Sequence, residues 1–435
     1  MSYNNGSLST EYIDPSIFVP GQRCVFELDG SKLGYATNMR LLDLGAVSDG
    51  AHDYNRLLGC VSLIKNIRLM DGRTELSALR SPAQYLAFKN QSRSNADNKS
   101  SASFLKRSEL GLEIDVTNKK LNHIYSAGTM NTAVATTTSA YLDLREVFPI
   151  LNSMPIVPSS MFPNLRIEIE FARNDTNQVS VNQSVATTNA QAPLRPILAV
   201  DVVEDDRILV PLVRALKEKG VRWMEIEHDR YNIVGRSLVT PEAAGTVQRR
   251  SHQSMGFIGK KVERLLMVKT LTNNEETINT TGNREVMGFG NSGSQALLKQ
   301  TTQIRLNGKN VFPGFQGISR PMQRLALMSD EYGTQQAYPG SPTYKWSNGD
   351  VTMQTGANQW DSGKAFGGQL SYDVVRIGAR VADLSIQIGR EFDADPLGQV
   401  GTAPASTNAP ITMNMYGEVE KALAVGGAGY RIVYA

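Results

Sequence analysis

Gly288-Phe289-Gly290-Asn291-Ser292-Gly293 has the GxGxxG spacing of a phosphate-cradling loop, and Ser294-Gln295-Ala296-Leu297-Leu298 could open a helix behind it. Such a loop holds a nucleotide when a strand leads into it and a carboxylate about 20 residues on takes the ribose. Between Val286 and Ser329 there is neither Asp nor Glu, so the string reads as a plain loop. The same acid-free stretch carries Lys299, Arg305, Lys309, Arg320 and Arg324, which could face an acidic neighbour or a nucleic acid. A solvated face is the simpler reading, and no specific nucleic-acid site is assigned. The four histidines, His52, His123, His228 and His252, lie far apart. Only His228 has acids beside it, Glu225, Glu227 and Asp229, and the alternation from Val221 to His228 is that of an ordinary strand. Acid/base or metal chemistry needs a second convergent group, and HExxH and Cys/His spacings are missing. Glu204-Asp205-Asp206 suits either a position leading into a helix, where the macrodipole favours acids, or a linker, without any calcium. No GxSxG, CxxC or P-loop string occurs. The sequence therefore offers no catalytic, cofactor-binding or metal-ligating residue, and no cofactor is expected.

The bulk numbers agree. At 435 residues the chain exceeds one ordinary core and suits two units of about 200 residues. An apolar fraction of 41% with 20% charged residues belongs to a globular protein. A net charge of +3 gives no global field for nucleic acid. Two cysteines, Cys24 and Cys60, are too few for a disulfide framework and point to folding in a reducing compartment. Residues 1–16 lack the basic and apolar regions of a secretory leader, and no apolar run reaches the ~20 residues of a membrane span, so membrane insertion is not expected.

What must position any of these residues is β structure, and it is written twice. Arg40-Leu41-Leu42-Asp43-Leu44, Ile67-Arg68-Leu69-Met70-Asp71-Gly72-Arg73, Leu165-Arg166-Ile167-Glu168-Ile169-Glu170-Phe171 and Pro196-Ile197-Leu198 follow one another in the first half. Arg264-Leu265-Leu266-Met267-Val268, Ile304-Arg305-Leu306-Asn307-Gly308-Lys309, Leu384-Ser385-Ile386-Gln387-Ile388 and Pro410-Ile411-Thr412 follow in the same order in the second. Four matches in register predict two homologous β domains in tandem. Residues 165–171 alternate apolar and charged, as does the triplet Leu384, Ile386, Ile388, which predicts half-buried strands. Asp71-Gly72 and Asn307-Gly308 supply matching hairpin turns. Helices are few: residues 81–88 entered through Pro82, the counterpart at 320–325, and residues 211–219 closed by Gly220. Long loops at 91–103, 174–193 and 333–368 carry polar residues and, in the last, Tyr338, Tyr344, Trp346 and Trp360. The expected division is an N-terminal arm at 1–14, a first sandwich at 15–204, a connection at 205–234 and a second sandwich at 235–435. The polar arm is a candidate clamp onto a neighbour.

Along most of residues 15–435 the chain resembles the double jelly-roll major capsid proteins of adenovirus-like, polinton- or adintovirus-like, virophage and large DNA viruses. The strings that carry it are Pro20-Gly21-Gln22-Arg23-Cys24-Val25-Phe26, Tyr54-Asn55-Arg56, Leu63-Ile64-Lys65-Asn66-Ile67 and Tyr141-Leu142-Asp143-Leu144-Arg145-Glu146-Val147-Phe148-Pro149, with the strand at 165–171. The second half departs further. The resemblance implies an all-β fold of two tandem eight-stranded jelly-roll sandwiches with long loops and a few short helices. It implies a homotrimer of pseudo-hexagonal outline that tiles an icosahedral shell, with neighbouring trimers and minor capsid or penton proteins as partners. It places the protein in the virion, after folding in the host cytoplasm or nucleus. Two readings stay beside it: a two-domain β-sandwich that binds carbohydrate or a receptor through Tyr344, Trp346 and Trp360, and a minor or vertex capsid protein of the same lineage.

Overall fold

The computed structural model describes residues 8–44, 61, 63–82, 85–86, 114–115, 120–121, 142–172, 195–233, 246–271, 300–311, 372–392, 411–426 and 429–434. The first half contributes β1 (Leu8–Ile13), β2 (Ile17–Val19), β3 (Arg23–Glu27), β4 (Gly34–Ala36), β5 (Arg40–Leu42), β6 (Ile64–Asp71) and β7 (Thr74–Arg80). After a two-residue pair, β8 (Ile114–Asp115) and β9 (Lys120–Leu121), come β10 (Leu142–Asp143), helix α1 (Ile150–Ser153), β11 (Ile156–Pro158), β12 (Leu165–Phe171) and β13 (Ile197–Val203). One sheet runs β1, β13, then β5 and β4 end to end, then β10 and β11 end to end. The facing sheet runs β2, β3, β12, β6, β7. With β4–β5 and β10–β11 each taken as one broken strand and β2 as a hairpin extension, the eight strands lie in the orders 1-8-3-6 and 2-7-4-5. That is the double Greek key of a jelly roll.

The second half repeats it. Helix α2 (Asp206–Lys219) leads into β14 (Val221–Ile233), β15 (Thr246–Ser254), β16 (Lys261–Leu271), β17 (Gln300–Leu306), β18 (Lys309–Asn310), β19 (Tyr372–Arg380), β20 (Leu384–Phe392) and β21 (Ile411–Gly426). The sheets run β14-β21-β16-β19 and β15-β20-β17-β18, again 1-8-3-6 and 2-7-4-5. A ninth strand, β22 (Gly429–Tyr434), pairs with the last residues of β21. Each of the four repeated strings falls on the equivalent strand of its unit: the third, fourth, seventh and eighth. The chain is an all-β double jelly roll.

The hairpins between the fourth and fifth strands show how divergence was absorbed. In the second unit Asn307 and Gly308 both take positive φ (49° and 79°), as a tight two-residue turn requires. In the first only Gly72 does (φ 55°), because Asp71 is still paired with Thr74. Both acidic or amide side chains nevertheless perform one task. Asp71 Oδ1 accepts from the Asn164 amide at 2.8 Å, and Asn307 Oδ1 accepts from the Ala382 and Asp383 amides at 2.8 and 3.1 Å. Each ties its hairpin to the turn before the seventh strand. At the neighbouring turn, a β-carbon on Gly30 would stand 2.3 Å from the Pro163 carbonyl oxygen, so that backbone approach excludes any side chain.

Three expectations are corrected. Residues 8–13 are not an arm: they are the first strand, β1, paired along its length with β13. The polarity that suggested an arm is used locally, with Ser9 donating to Glu204, Thr10 to Asp201, and Lys32 paired with Glu11. The helix expected at 211–219 begins at Asp206, with the Asp205 carboxylate capping the Arg207 amide at 2.8 Å, so the acidic triplet leads a helix and Pro211 lies inside it. The stretch 205–234 is therefore this helix followed by a full strand of the second sandwich, not a connection alone. Of the helix expected at 81–88, Pro82, Tyr85 and Leu86 are helical and the rest lies outside the described residues, as do 320–325 and the loops at 91–103, 174–193 and 333–368. Cys24 is fully buried with a free thiol, which burial pushes up to about 12; Cys60 lies outside the described residues.

Candidate assembly interface

Leu265-Leu266-Met267-Val268 has no polar break, the pattern of a strand buried on both faces. The reason is visible in the packing. Leu265 and Met267 join Met413, Met415, Val375 and Ile386 in the core of the second sandwich. Leu266 and Val268, with Val374, Tyr416 and Leu423, join the core that contains the first unit's Leu79, Tyr85 and Ile150. One sheet of the second unit thus closes its own sandwich with one face and the seam between the units with the other. The seam is apolar like an obligate interface, and β7, the edge of its sheet, lies against β14 and is not left open.

Polar groups along the seam fix its register. Glu225, 1% exposed, accepts from Ser77 Oγ (2.9 Å), the Ala78 amide (3.1 Å) and Trp223 Nε1 (2.6 Å). Burial raises its pKa, against the pull of Lys421 and those donors. Tyr416 Oη donates to the Ser81 carbonyl at 2.6 Å, and its ring lies between Tyr85 and His228 with centroids at 5.7 and 4.9 Å. His228 Nε2 meets Asn414 Oδ1 at 2.9 Å, and burial lowers its pKa. Tyr430 of β22 donates to Asp71 at 2.6 Å and packs edge-on against Phe162 at 5.0 Å.

The order of these contacts sets the polarity of the units. From one end of the seam to the other, residues 71, 77–78 and 81 of the first unit meet Tyr430, Glu225 and Tyr416. Tyr430 pairs with Val425, beyond the Leu423–Val221 pair that starts β14, and Tyr416 pairs with His228. So β7 and β14 run side by side in the same direction. Both begin at the end where their units make short turns, at residues 28–33, 72–73 and 159–164 in the first and 255–260, 307–308 and 381–383 in the second. The connections at 43–63, 81–141, 172–196, 234–245, 272–299, 311–371 and 393–410 all leave from the opposite end. The two sandwiches lie side by side with the same polarity, with the short turns at one end and the longer connections leaving from the other.

The residues singled out for chemistry are not brought together. His228 sits in the seam, while Glu225 turns to Ser77 and Glu227 pairs with Lys421 at 3.0 Å and with Lys260. Asp229 is taken up by Tyr231 and the Gly256 amide, and His252 stacks on Tyr231. Among the described residues no group of three His, Cys, Asp or Glu side chains is placed to hold a metal ion, and no helix is long and apolar enough to cross a membrane. Arg305 and Lys309 are exposed on the second unit's hairpin; the glycine string at 288–293, His52, His123, Lys299, Arg320, Arg324, Tyr344, Trp346 and Trp360 lie outside the described residues. Sequence reading missed Glu225 as the seam's polar anchor. The available signal was a carboxylate in line with Val221 and Trp223 on an apolar strand face.

No protein-family model and no curated protein sequence matches the chain. Solved structures do match its fold over its whole length. The VP54 protein of PBCV-1, in a structure fitted into a reconstruction of the virophage Sputnik, aligns with a TM-score of 0.55 at 13% identity, covering 100% of this chain and 99% of that one. A chain from the cryo-EM structure of the Sputnik virophage aligns at 0.57 and 9% identity, covering 100% and 89%. The crystal structure of the mavirus major capsid protein aligns at 0.53 and 10% identity, covering 100% and 91%.

Proposed function

We propose that the chain is a structural protein of a virion, the major capsid subunit of an icosahedral DNA-virus shell, and that three copies form a capsomer of pseudo-hexagonal outline. The observation that carries this is the seam: two sandwiches of one strand order, locked parallel, with short turns at one end and long connections at the other. A threefold object built from such pairs has six nearly equivalent flanks, so it tiles like a hexagon while using one gene product. The likeness in fold to the major capsid protein of mavirus over 100% of this chain supports the same reading. Partners are then further copies of the chain, first within a trimer and next between trimers, with minor capsid or penton proteins where the lattice changes curvature. Seam burial and jelly-roll closure both limit free sheet edges, which a protein present in many copies must avoid. Nothing in this reading requires catalysis or a cofactor. Light scattering on the purified protein tests it. A stable species near three times the 47.6 kDa chain mass supports the capsomer. A persistent monomer at all concentrations would count against it.

A further inference from the structure

The last strand, β22, lies outside the plan that both sandwiches share. Each unit is complete with eight strands, and among the described residues the first has no counterpart to the ninth. The strand before it, β21, outruns its neighbours. Its pairing with β14 stops at Leu423 and with β16 at Val419, and residues 424–426 pair with β22 alone. None of the six residues of β22 is buried. Its hold comes from one face. Tyr430, Ile432 and Tyr434 alternate along the strand and so point the same way, opposite Val425, Leu423 and Lys421. Tyr430 Oη donates to Asp71 at 2.6 Å and its ring meets Phe162 edge-on at 5.0 Å, both in the first unit. Ile432 packs against the core that the two units share. Tyr434 Oη donates to Glu227 of β14 at 2.8 Å, and the ammonium groups of Lys260 and Lys421 stand 5.0 and 5.2 Å from its ring centre. The two receiving carboxylates are held without help from β22. Asp71 takes the Asn164 amide on its other oxygen at 2.8 Å, and Glu227 is paired with both lysines.

A backbone that extends a sheet while alternate side chains enter fixed pockets is one of the ways proteins recognise extended peptides. We propose that this groove is a strand-accepting site for an extended Tyr-x-Ile-x-Tyr segment, with β22 as its exchangeable occupant. The pockets define the ligand: two phenol donors four residues apart for two carboxylates, an aliphatic side chain between them, and a ring at one end facing cations. Residues 430–434 are the one place in the sequence where that pattern occurs, so a second copy of this chain is the partner that carries it. The tether permits exchange. Gly426-Gly427-Ala428-Gly429 has glycine at three of four positions, and Gly429 takes φ 126°, where other residues are strained. A strand without a buried residue is among the first elements to open, and a short hinge beside it is a low-cost route to exchange between copies. Because the carboxylates are already positioned, an incoming strand meets a site that needs no ordering of its own. The site goes beyond the capsid reading and does not require that shells form.

The test frees β22 from its tether. A protease-recognition sequence is inserted between Gly427 and Ala428 of the full chain and cut after folding. The cut strand should stay bound through gel filtration and then be displaced by excess labelled peptide of residues 429–435, the second copy's strand reduced to its recognition element. The same peptide with alanine at 430 and 434 should compete at least about tenfold less well. A second measurement needs no insertion. The melting temperature of the uncut variant Tyr430→Ala/Tyr434→Ala should rise when the parent peptide is added and not with the alanine peptide. A cut strand that the peptide never replaces overturns the proposal. So does a strand that falls away on cutting and does not rebind, or equal binding of the two peptides.

Discussion

Replacing Glu225 with alanine removes the one acceptor shared by Ser77 Oγ, the Ala78 amide and Trp223 Nε1. All three donors sit where water does not reach: Ser77 is 1% exposed, Ala78 8% and Trp223 4%. A buried donor left without a partner costs about 1–3 kcal/mol. Three such donors set an upper range of about 3–9 kcal/mol. Two effects reduce it. The wild-type carboxylate is itself costly to bury, as its raised pKa shows, and the alanine cavity can admit water. A net loss of about 3 kcal/mol is expected, near the figure for breaking a buried polar contact from one side. Glutamine keeps the shape and one acceptor oxygen but turns an amide N–H toward a donor, so it should fall between wild type and alanine. Urea unfolding of the chain gives the numbers, and a cycle pairing Glu225→Gln with Ser77→Ala isolates the contact across the seam. If Glu225→Ala stays within about 0.5 kcal/mol of wild type, the carboxylate is a bystander and the account of the seam is wrong.

Other expectations can be checked with the same assay. His228 has its folded pKa below the ordinary value of 6.5, so it contributes stability that is complete above 6.5 and is lost as pH falls toward the folded value. The urea midpoint should therefore drop between pH 7 and acid, and His228→Gln should flatten that slope. Glu225 works the other way, since a raised folded pKa gives stability that is present in acid and lost as pH rises through that value, so the His228 slope is cleanest in a Glu225→Gln background. Gly30→Ala drives a β-carbon against the Pro163 carbonyl oxygen and should lower stability by about 1–3 kcal/mol, read as a fall in melting temperature. Tyr430→Phe removes the bond to Asp71 and should cost about 1.5–3 kcal/mol, with the C-terminal strand losing hydrogen-exchange protection before the rest of the second sandwich.

The fold was legible where apolar period and turn chemistry coincide. Residues 165–171 alternate cleanly because one face meets the core and the other is wet, where Lys65–Glu170 and Arg68–Glu168 pair across strands at 2.6 and 2.5 Å. Leu265 to Val268 matched its counterpart as a string, but its unbroken apolar character held more than that: it recorded a second buried face, and so the seam. β1 escaped because its outward side chains are matched to single partners, Glu204, Asp201 and Lys32, and such pairings have no periodicity to read. The start of α2 was displaced because Pro211 resembles a first-turn proline, whereas the Asp205 cap lies further upstream. Glu225 was seen beside His228 in sequence, and only topology shows that its partners are Ser77 and Ala78, from another sandwich.

The most direct measurement is an electron cryo-microscopy map of the assembled protein at a resolution that separates strands. Three chains around a threefold axis are expected. Each should contribute two parallel upright sandwiches, with all six short-turn ends on one side and Glu225 against Ser77 at every seam. Sandwiches stacked end to end, or pointing in opposite directions within one chain, would contradict it.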